Sequence, residues 1–169
     1  MRSLLLLLGL LVGCASNEPM ASRVESLGPL TFDVPSDWAR QDFVNGGTRT
    51  SVWSPPSNER KESIAVIRVE RGAMRVKGAT LEALVESAQG ALQDARIARI
   101  ERVSTSHGFS GAKASLSFTP RGRTTAYHRV QATLVDDDAL VHVFYTAVEP
   151  DDTVEPFTLV VDSLRRGEG

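Results

Sequence analysis

Cysteine is nearly absent: the 169-residue chain has one, which excludes an internal disulfide framework and any multi-cysteine zinc or iron–sulfur centre. Excess charge is missing as well. Lys and Arg number 19 against 21 Asp and Glu, a formal net charge of −2, and this balance argues against a nucleic-acid-binding surface. Glycine and proline, 13 and 8 residues, stay near background and exclude collagen and low-complexity disorder. No apolar stretch reaches the roughly 20 residues needed to cross a ~30 Å hydrocarbon core. The patterns H-E-x-x-H, G-x-S-x-G, G-x-x-x-x-G-K-[ST] and G-x-G-x-x-G do not occur, so no local motif announces a zinc peptidase, a nucleophile elbow or a phosphate-binding loop. What is left is an ordinary globular composition, 41% hydrophobic and 24% charged.

The position of the one cysteine is more informative than its rarity. Met1-Arg2-Ser3 precedes an apolar run from Leu4 to Val12 that only Gly9 interrupts, and Gly13-Cys14-Ala15-Ser16 follows. A basic start, a short apolar stretch and small residues are the three regions of a secretory signal peptide. Leu11-Val12-Gly13-Cys14 resembles the lipobox of bacterial lipoproteins, in which the cysteine sulfur receives a diacylglyceryl group and the chain is cut just before it. That resemblance implies cleavage between Gly13 and Cys14, with lipidated Cys14 as the first mature residue and acyl chains such as palmitate giving about 0.8 kcal/mol of membrane affinity per buried CH₂. The alternative is an ordinary signal peptide cut after Ala15, which discards the cysteine and releases a soluble protein. Ala15 in place of Asp resembles an outer-membrane sorting signal.

The expected organisation is a signal peptide over 1–13, a polar lipidated tether over 14–28 and one domain over 29–169. Leu30-Thr-Phe-Asp-Val34 alternates and stops at Pro35, which cannot donate to a sheet ladder. Arg40 to Val44 and Thr48 to Ser54 flank Asn45-Gly46-Gly47 and predict a hairpin. Ser63 to Arg71 carries apolar residues on both faces of its first half, the pattern of an interior strand. Leu81, Leu84, Val85, Ala88 and Leu92 place an apolar stripe on a helix over Thr80 to Gln93, with Thr80 as N-cap. Four β-type runs follow, Ile97–Ser106, Ala112–Thr119, Thr124–Val135 and Ala139–Val148, with turn-length links that predict an antiparallel meander. A second helix is expected over Pro156 to Arg166, with Arg165-Arg166 at its C-terminus. Segregated strands and helices predict an α+β fold, an antiparallel sheet flanked by helices.

With that order on the page, the chain resembles the PsbP/Mog1/DcrB-like superfamily, whose fold is an αβα sandwich. Phe32-x-x-Pro35-x-x-Trp38, the single helix Thr80 to Gln93 before a long meander, Phe144-Tyr145, and Phe157-x-x-Val160-Val161-x-Ser163-Leu164-Arg165 carry the resemblance, from about Leu30 to Arg166. It implies an accessory or assembly factor of a larger complex, with no shared catalytic constellation and no site residue to carry over.

The residues themselves offer few chemical candidates. His107, His128 and His142 are the possible acid–base or metal groups. His107 precedes Gly108 in a turn without a nearby acid and reads as a surface residue. If Asp136-Asp137-Asp138 is the last hairpin's loop and Val135 pairs with Ala139, His128 and His142 share a face with Val130, Leu134, Leu140 and Phe144. They then lie about 13 Å apart at ~3.3 Å per residue, too far to hold one metal. A register change of one residue puts them on opposite faces. Asp136 to Asp138 lacks calcium-loop spacing and reads as a turn, and Arg121 and Arg123 around Gly122 read as an exposed turn. The expectation is therefore a non-catalytic, lipid-anchored envelope protein facing the periplasm, acting through a protein partner, with no cofactor, no metal and no nucleic acid. The alternatives are a small-ligand carrier with an apolar cavity between sheet and helices and, in third place, an envelope hydrolase assembled through space.

Overall fold

The computed structural model describes residues 19–45, 48–57, 59, 61–70, 80–89, 92, 95–136, 139–148 and 154–167. Ten strands and two helices are assigned among them: β1 Ser22–Leu27, β2 Leu30–Pro35, β3 Ala39–Asn45, β4 Thr48–Ser54, β5 Ser63–Glu70, α1 Leu81–Gln89, β6 Arg96–Ser104, β7 Ser110–Phe118, β8 Tyr127–Val135, β9 Ala139–Ala147, α2 Glu155–Ser163 and β10 Arg165–Arg166. They form a seven-stranded antiparallel sheet in the order β3-β4-β5-β9-β8-β7-β6 and a three-stranded sheet in the order β1-β2-β10. The chain leaves β5 and reappears at the far edge as β6. The meander then returns strand by strand until β9 pairs with β5.

That return makes β9 the middle strand, which explains its sequence. Ala-Leu-Val-His-Val-Phe-Tyr-Thr-Ala is buried at every position but Thr146, because both faces of this strand are covered and neither demands polar side chains. β5 lies one strand further out, between β4 and β9, an interior position as its two apolar faces predict. Gly111 of β7 lies against the backbone of β8. A Cβ there would stand 1.9 Å from the Thr133 carbonyl oxygen, so no larger residue fits without moving the ladder.

The large sheet is covered on both faces. One face packs Trp53, Ile64, Val66, Leu134, Val141, Val143 and Tyr145 against Phe32 and Val34 of the small sheet and against Phe157, Val160 and Val161 of α2. Phe32 and Trp53 meet edge to face, centroids 5.4 Å apart, the geometry that aromatic quadrupoles favour. The opposite face receives α1, whose Leu84 and Val85 rest on Ala112, Ala114 and Leu140. The small alanines let the helix come close. The Thr80 hydroxyl accepts a hydrogen bond from the Ala83 N–H at 3.3 Å, the N-cap expected from sequence.

Three expectations need correction. Residues 14–28 are not all tether, because Ser22–Leu27 pairs along its whole length with β2. It is fixed by charge rather than by apolar periodicity. Arg23 donates to the Ser36 and Trp38 carbonyls, and Glu25 accepts from Arg23 at 2.9 Å and from Arg40 of β3 at 2.7 Å. Burial alone would raise the Glu25 pKa, and the bonds from Arg23 and Arg40 reverse that, holding it below its ordinary value. Arg165-Arg166 does not end the last helix. Leu164 turns to extended geometry and the two arginines pair with Thr31 and Leu30 as β10. The first helix is described only to Gln89, and Leu92, which the apolar stripe included, is not helical; residues 90–91 and 93 of the expected helix lie outside the described residues, as does the Gly46-Gly47 turn.

Candidate functional site

Gly13 and Cys14 lie outside the described residues. His107 is exposed in the turn between β6 and β7, where the Gly108 N–H donates to the Thr105 carbonyl at 3.2 Å. Arg121 and Arg123 are exposed at the β7–β8 turn, closed by the Arg123 N–H on the Pro120 carbonyl at 3.0 Å.

The last hairpin departs from its expected register by one residue. The Asp136 N–H donates to the Ala139 carbonyl at 2.9 Å, so the ladder runs one position further than a three-aspartate loop allows, and Val135 faces Leu140. Thr133 then opposes His142, and His128 opposes Ala147. One step of register moves a side chain to the other face, so the two histidines lie on opposite faces of the sheet instead of sharing one. Asp136 does more than turn the chain. It is buried, and its carboxylate accepts from Arg166 Nε at 2.9 Å, tying the C-terminal strand to the hairpin. Asp137 and Asp138 lie outside the described residues.

The register brings together a polar strip on the face that α1 partly covers. Arg129, Gln131 and Thr133 of β8 stand beside His142, Phe144 and Thr146 of β9. Three of the buried polar residues, Gln131, Thr133 and His142, belong to it. His142 Nδ1 lies 3.1 Å from the Thr133 hydroxyl, and its ring stacks on Phe144 with centroids 5.9 Å apart. Burial pushes its pKa down to about 4, so the imidazole is neutral at pH 7. Gln131 Nε2 donates to the Val85 carbonyl of α1 at 3.1 Å, while its Oε1 is sealed without a partner.

Arg129 is the most unusual member. Its guanidinium carbon lies 5.0 Å from the Phe118 ring centroid and 4.8 Å from that of Phe144, and Nε donates to the Thr146 hydroxyl at 3.2 Å. Burial lowers its pKa to about 10, which leaves it charged at pH 7. No carboxylate pairs with it among the described residues. Sequence reading passed over this residue because Tyr127, Arg129, Gln131 and Thr133 alternate with Val130, Ala132 and Leu134. That pattern ordinarily marks a solvent face. The available signal was a polar alternation in a strand followed by an almost wholly apolar one.

Thr133 and His142 are buried, and neither His128 nor His142 forms an ion pair among the described residues, so no carboxylate orients an imidazole base. No group of three His, Cys, Asp or Glu side chains that could hold a metal occurs among the described residues. A groove of about 430 Å³ lies elsewhere, lined by Leu27, Gly28 and Pro29 of the β1–β2 turn and by Thr48, Arg49, Arg68, Val69 and Glu70. It lies beside the small sheet, not between the large sheet and a helix, where a small-ligand carrier was expected to open.

No protein-family model matches the sequence, and no curated protein matches it. Solved structures do. Cyanobacterial PsbP (CyanoP) from Synechocystis is 19% identical with a TM-score of 0.56, over 94% of this chain and 99% of its own. LpqN from Mycobacterium tuberculosis, described as involved in cell envelope biogenesis, is 14% identical with a TM-score of 0.53, over 90% of this chain and 88% of its own. A protein from Bacteroides thetaiotaomicron is 13% identical with a TM-score of 0.55 over 83% of this chain, which spans about half of that longer protein, 46%. At such identities the likeness speaks for architecture alone, and with the strand order and the two flanking helices it establishes that this chain has the PsbP/Mog1-like α+β fold.

Proposed function

We propose that this chain is a lipid-anchored accessory protein of the bacterial cell envelope, held on the periplasmic side and acting by binding another envelope protein without catalysis. The observation that carries the proposal is Leu11-Val12-Gly13-Cys14 at the end of a short apolar run, using the one cysteine of the chain. The first described strand begins at Ser22, eight Cα steps beyond Cys14. Even fully extended at ~3.3–3.6 Å per residue, eight steps span at most about 29 Å, so a lipid on Cys14 keeps the domain close to its membrane. LpqN, a solved structure of the same fold, is described as taking part in cell envelope biogenesis, which agrees with an extracytoplasmic accessory role.

Labelled palmitate supplied to cells making the wild type and Cys14→Ala tests the anchor. Label in the wild type alone is expected, and equal labelling of both chains rejects it. Affinity purification of the tagged protein from solubilised envelopes tests the partner. A stoichiometric second protein is expected, and repeated recovery of the chain by itself counts against the binding role.

A further inference from the structure

Arg129 combines features that a structural arginine does not need. It lies two residue pairs in from Phe118 and Tyr127, the last pair before the β7–β8 turn. Phe118 of β7 and Phe144 of β9 both offer it a ring face, at 5.0 and 4.8 Å, and the Thr146 hydroxyl accepts a hydrogen bond from its Nε. These contacts fix the plane of the guanidinium and lower the entropy lost when it binds something. They use one donor position. The two Nη groups have no protein acceptor among the described residues, and neither is among the sealed polar atoms, so both remain open to a ligand. A cation withdrawn from water without a counter-charge is costly. A methionine or leucine would fill the same space against two phenyl rings without that cost. A charge kept in such a place, clamped and with a free fork, is the arrangement of an anion receptor.

We propose that Arg129 is a carboxylate receptor, its two Nη groups taking both oxygens of one carboxylate end-on. The site assigns the class through charge and shape. One half-buried guanidinium balances a single negative charge, and its planar fork matches a planar carboxylate better than a dianionic tetrahedral phosphate. Arg121 and Arg123, exposed at the adjacent turn, steer an anion toward it without touching it. The carboxylate comes either from a small free acid or from an acidic side chain of a bound protein. The inference does not depend on the lipid anchor.

The test follows the Arg129 Nε–H resonance of the purified chain while sodium acetate replaces sodium chloride at constant ionic strength. A saturable shift with a millimolar dissociation constant is expected, together with a rise in the thermal midpoint. Arg129→Lys, which keeps the charge and loses the fork, should weaken acetate binding at least tenfold, read from the backbone amides of Phe118 and Thr146. Arg129→Gln should abolish binding while folding at least as well as wild type without acetate. Phe118→Leu loosens the clamp with the charge intact and should weaken binding several-fold. An acidic tripeptide that binds tighter than acetate assigns the carboxylate to a protein partner, and one that binds no tighter assigns it to a small acid. No saturable response in the wild type, tighter binding of phosphate than of acetate, or an undiminished response in Arg129→Lys overturns the proposal.

Discussion

The two faces of the seven-stranded sheet are made by the same strands and obey different rules. On the face toward the small sheet and α2, Trp53, Ile64, Val66, Leu134, Val141 and Val143 are fully buried against other apolar groups, and shape and volume decide what is tolerated. On the face toward α1, a small apolar cluster around Leu84 and Val85 gives way to Gln131, Thr133, His142 and Arg129, where hydrogen bonding and charge decide. The first face supplies stability. Each face seals a polar atom without a partner among the described residues, Trp53 Nε1 on the first and Gln131 Oε1 on the second, and the second gives up further stability through the half-buried Arg129 cation, which has no counter-ion among the described residues. Natural proteins accept such costs mainly where a site needs them.

Substitutions can break this contrast or sharpen it. The largest effect is expected from Trp53→Ala on the dry face, a loss of about 3–5 kcal/mol by urea unfolding. Ile67→Ala on the other face, where the side chain is half-buried, should cost under about 2 kcal/mol. Equal losses at the two positions would erase the distinction between the faces.

The next effect depends on pH. The folded value of His142, about 4, lies below the ordinary value near 6.5 that it regains on unfolding. Between those limits the unfolded chain binds a proton that the folded chain refuses, so stability falls as pH drops through this window and the loss is complete below about 4. At 1.36 kcal/mol per unit, the loss between pH 7 and 4.5 is about 2–3 kcal/mol. His142→Gln keeps a hydrogen-bonding group opposite Thr133 and should flatten the unfolding free energy over this range. A wild-type chain equally stable at both pH values would show that the imidazole is not sealed.

Asp136→Asn comes third. Replacing the buried carboxylate that holds Arg166 should cost about 1–3 kcal/mol and speed amide exchange in β10 before it affects β5. The smallest effect belongs to the rim of the α1 face. Thr80→Ala removes the cap of α1 and should cost about 1 kcal/mol, as a lower unfolding midpoint with an unchanged denaturant slope.

Much of the fold was legible because its signals are local. Thr48–Ser54 is a strand with the bounds its sequence predicts, and the run from Ser63 is a strand through Glu70, with Arg71 outside the described residues. The stripe from Leu81 to Ala88 is buried where a 3.6-residue period places it. β1 was missed because an edge strand held by Arg23, Glu25 and Arg40 has no apolar period to read. Arg165-Arg166 was misplaced because two basic residues after a helical stripe suit a helix end as well as a strand that begins there. The strip around Arg129 was invisible for a different reason. A polar residue at every second position looks the same whether water or a neighbouring aromatic ring lies over it.

The sequence by itself determined where most of the strands and both helices run, since side-chain periodicity and turn chemistry act over a few residues, and it marked Cys14 by its position just after a short apolar run. Only the tertiary structure decided the register of the last hairpin, and with it the face of His128 and of His142. It also decided that Phe118, Phe144 and Thr146, from strands separated in the chain, close around Arg129. A register choice moves no residue out of its strand. It costs nothing in local propensity, so the choice falls to what packs on each face, and that is known only once the sheet has assembled.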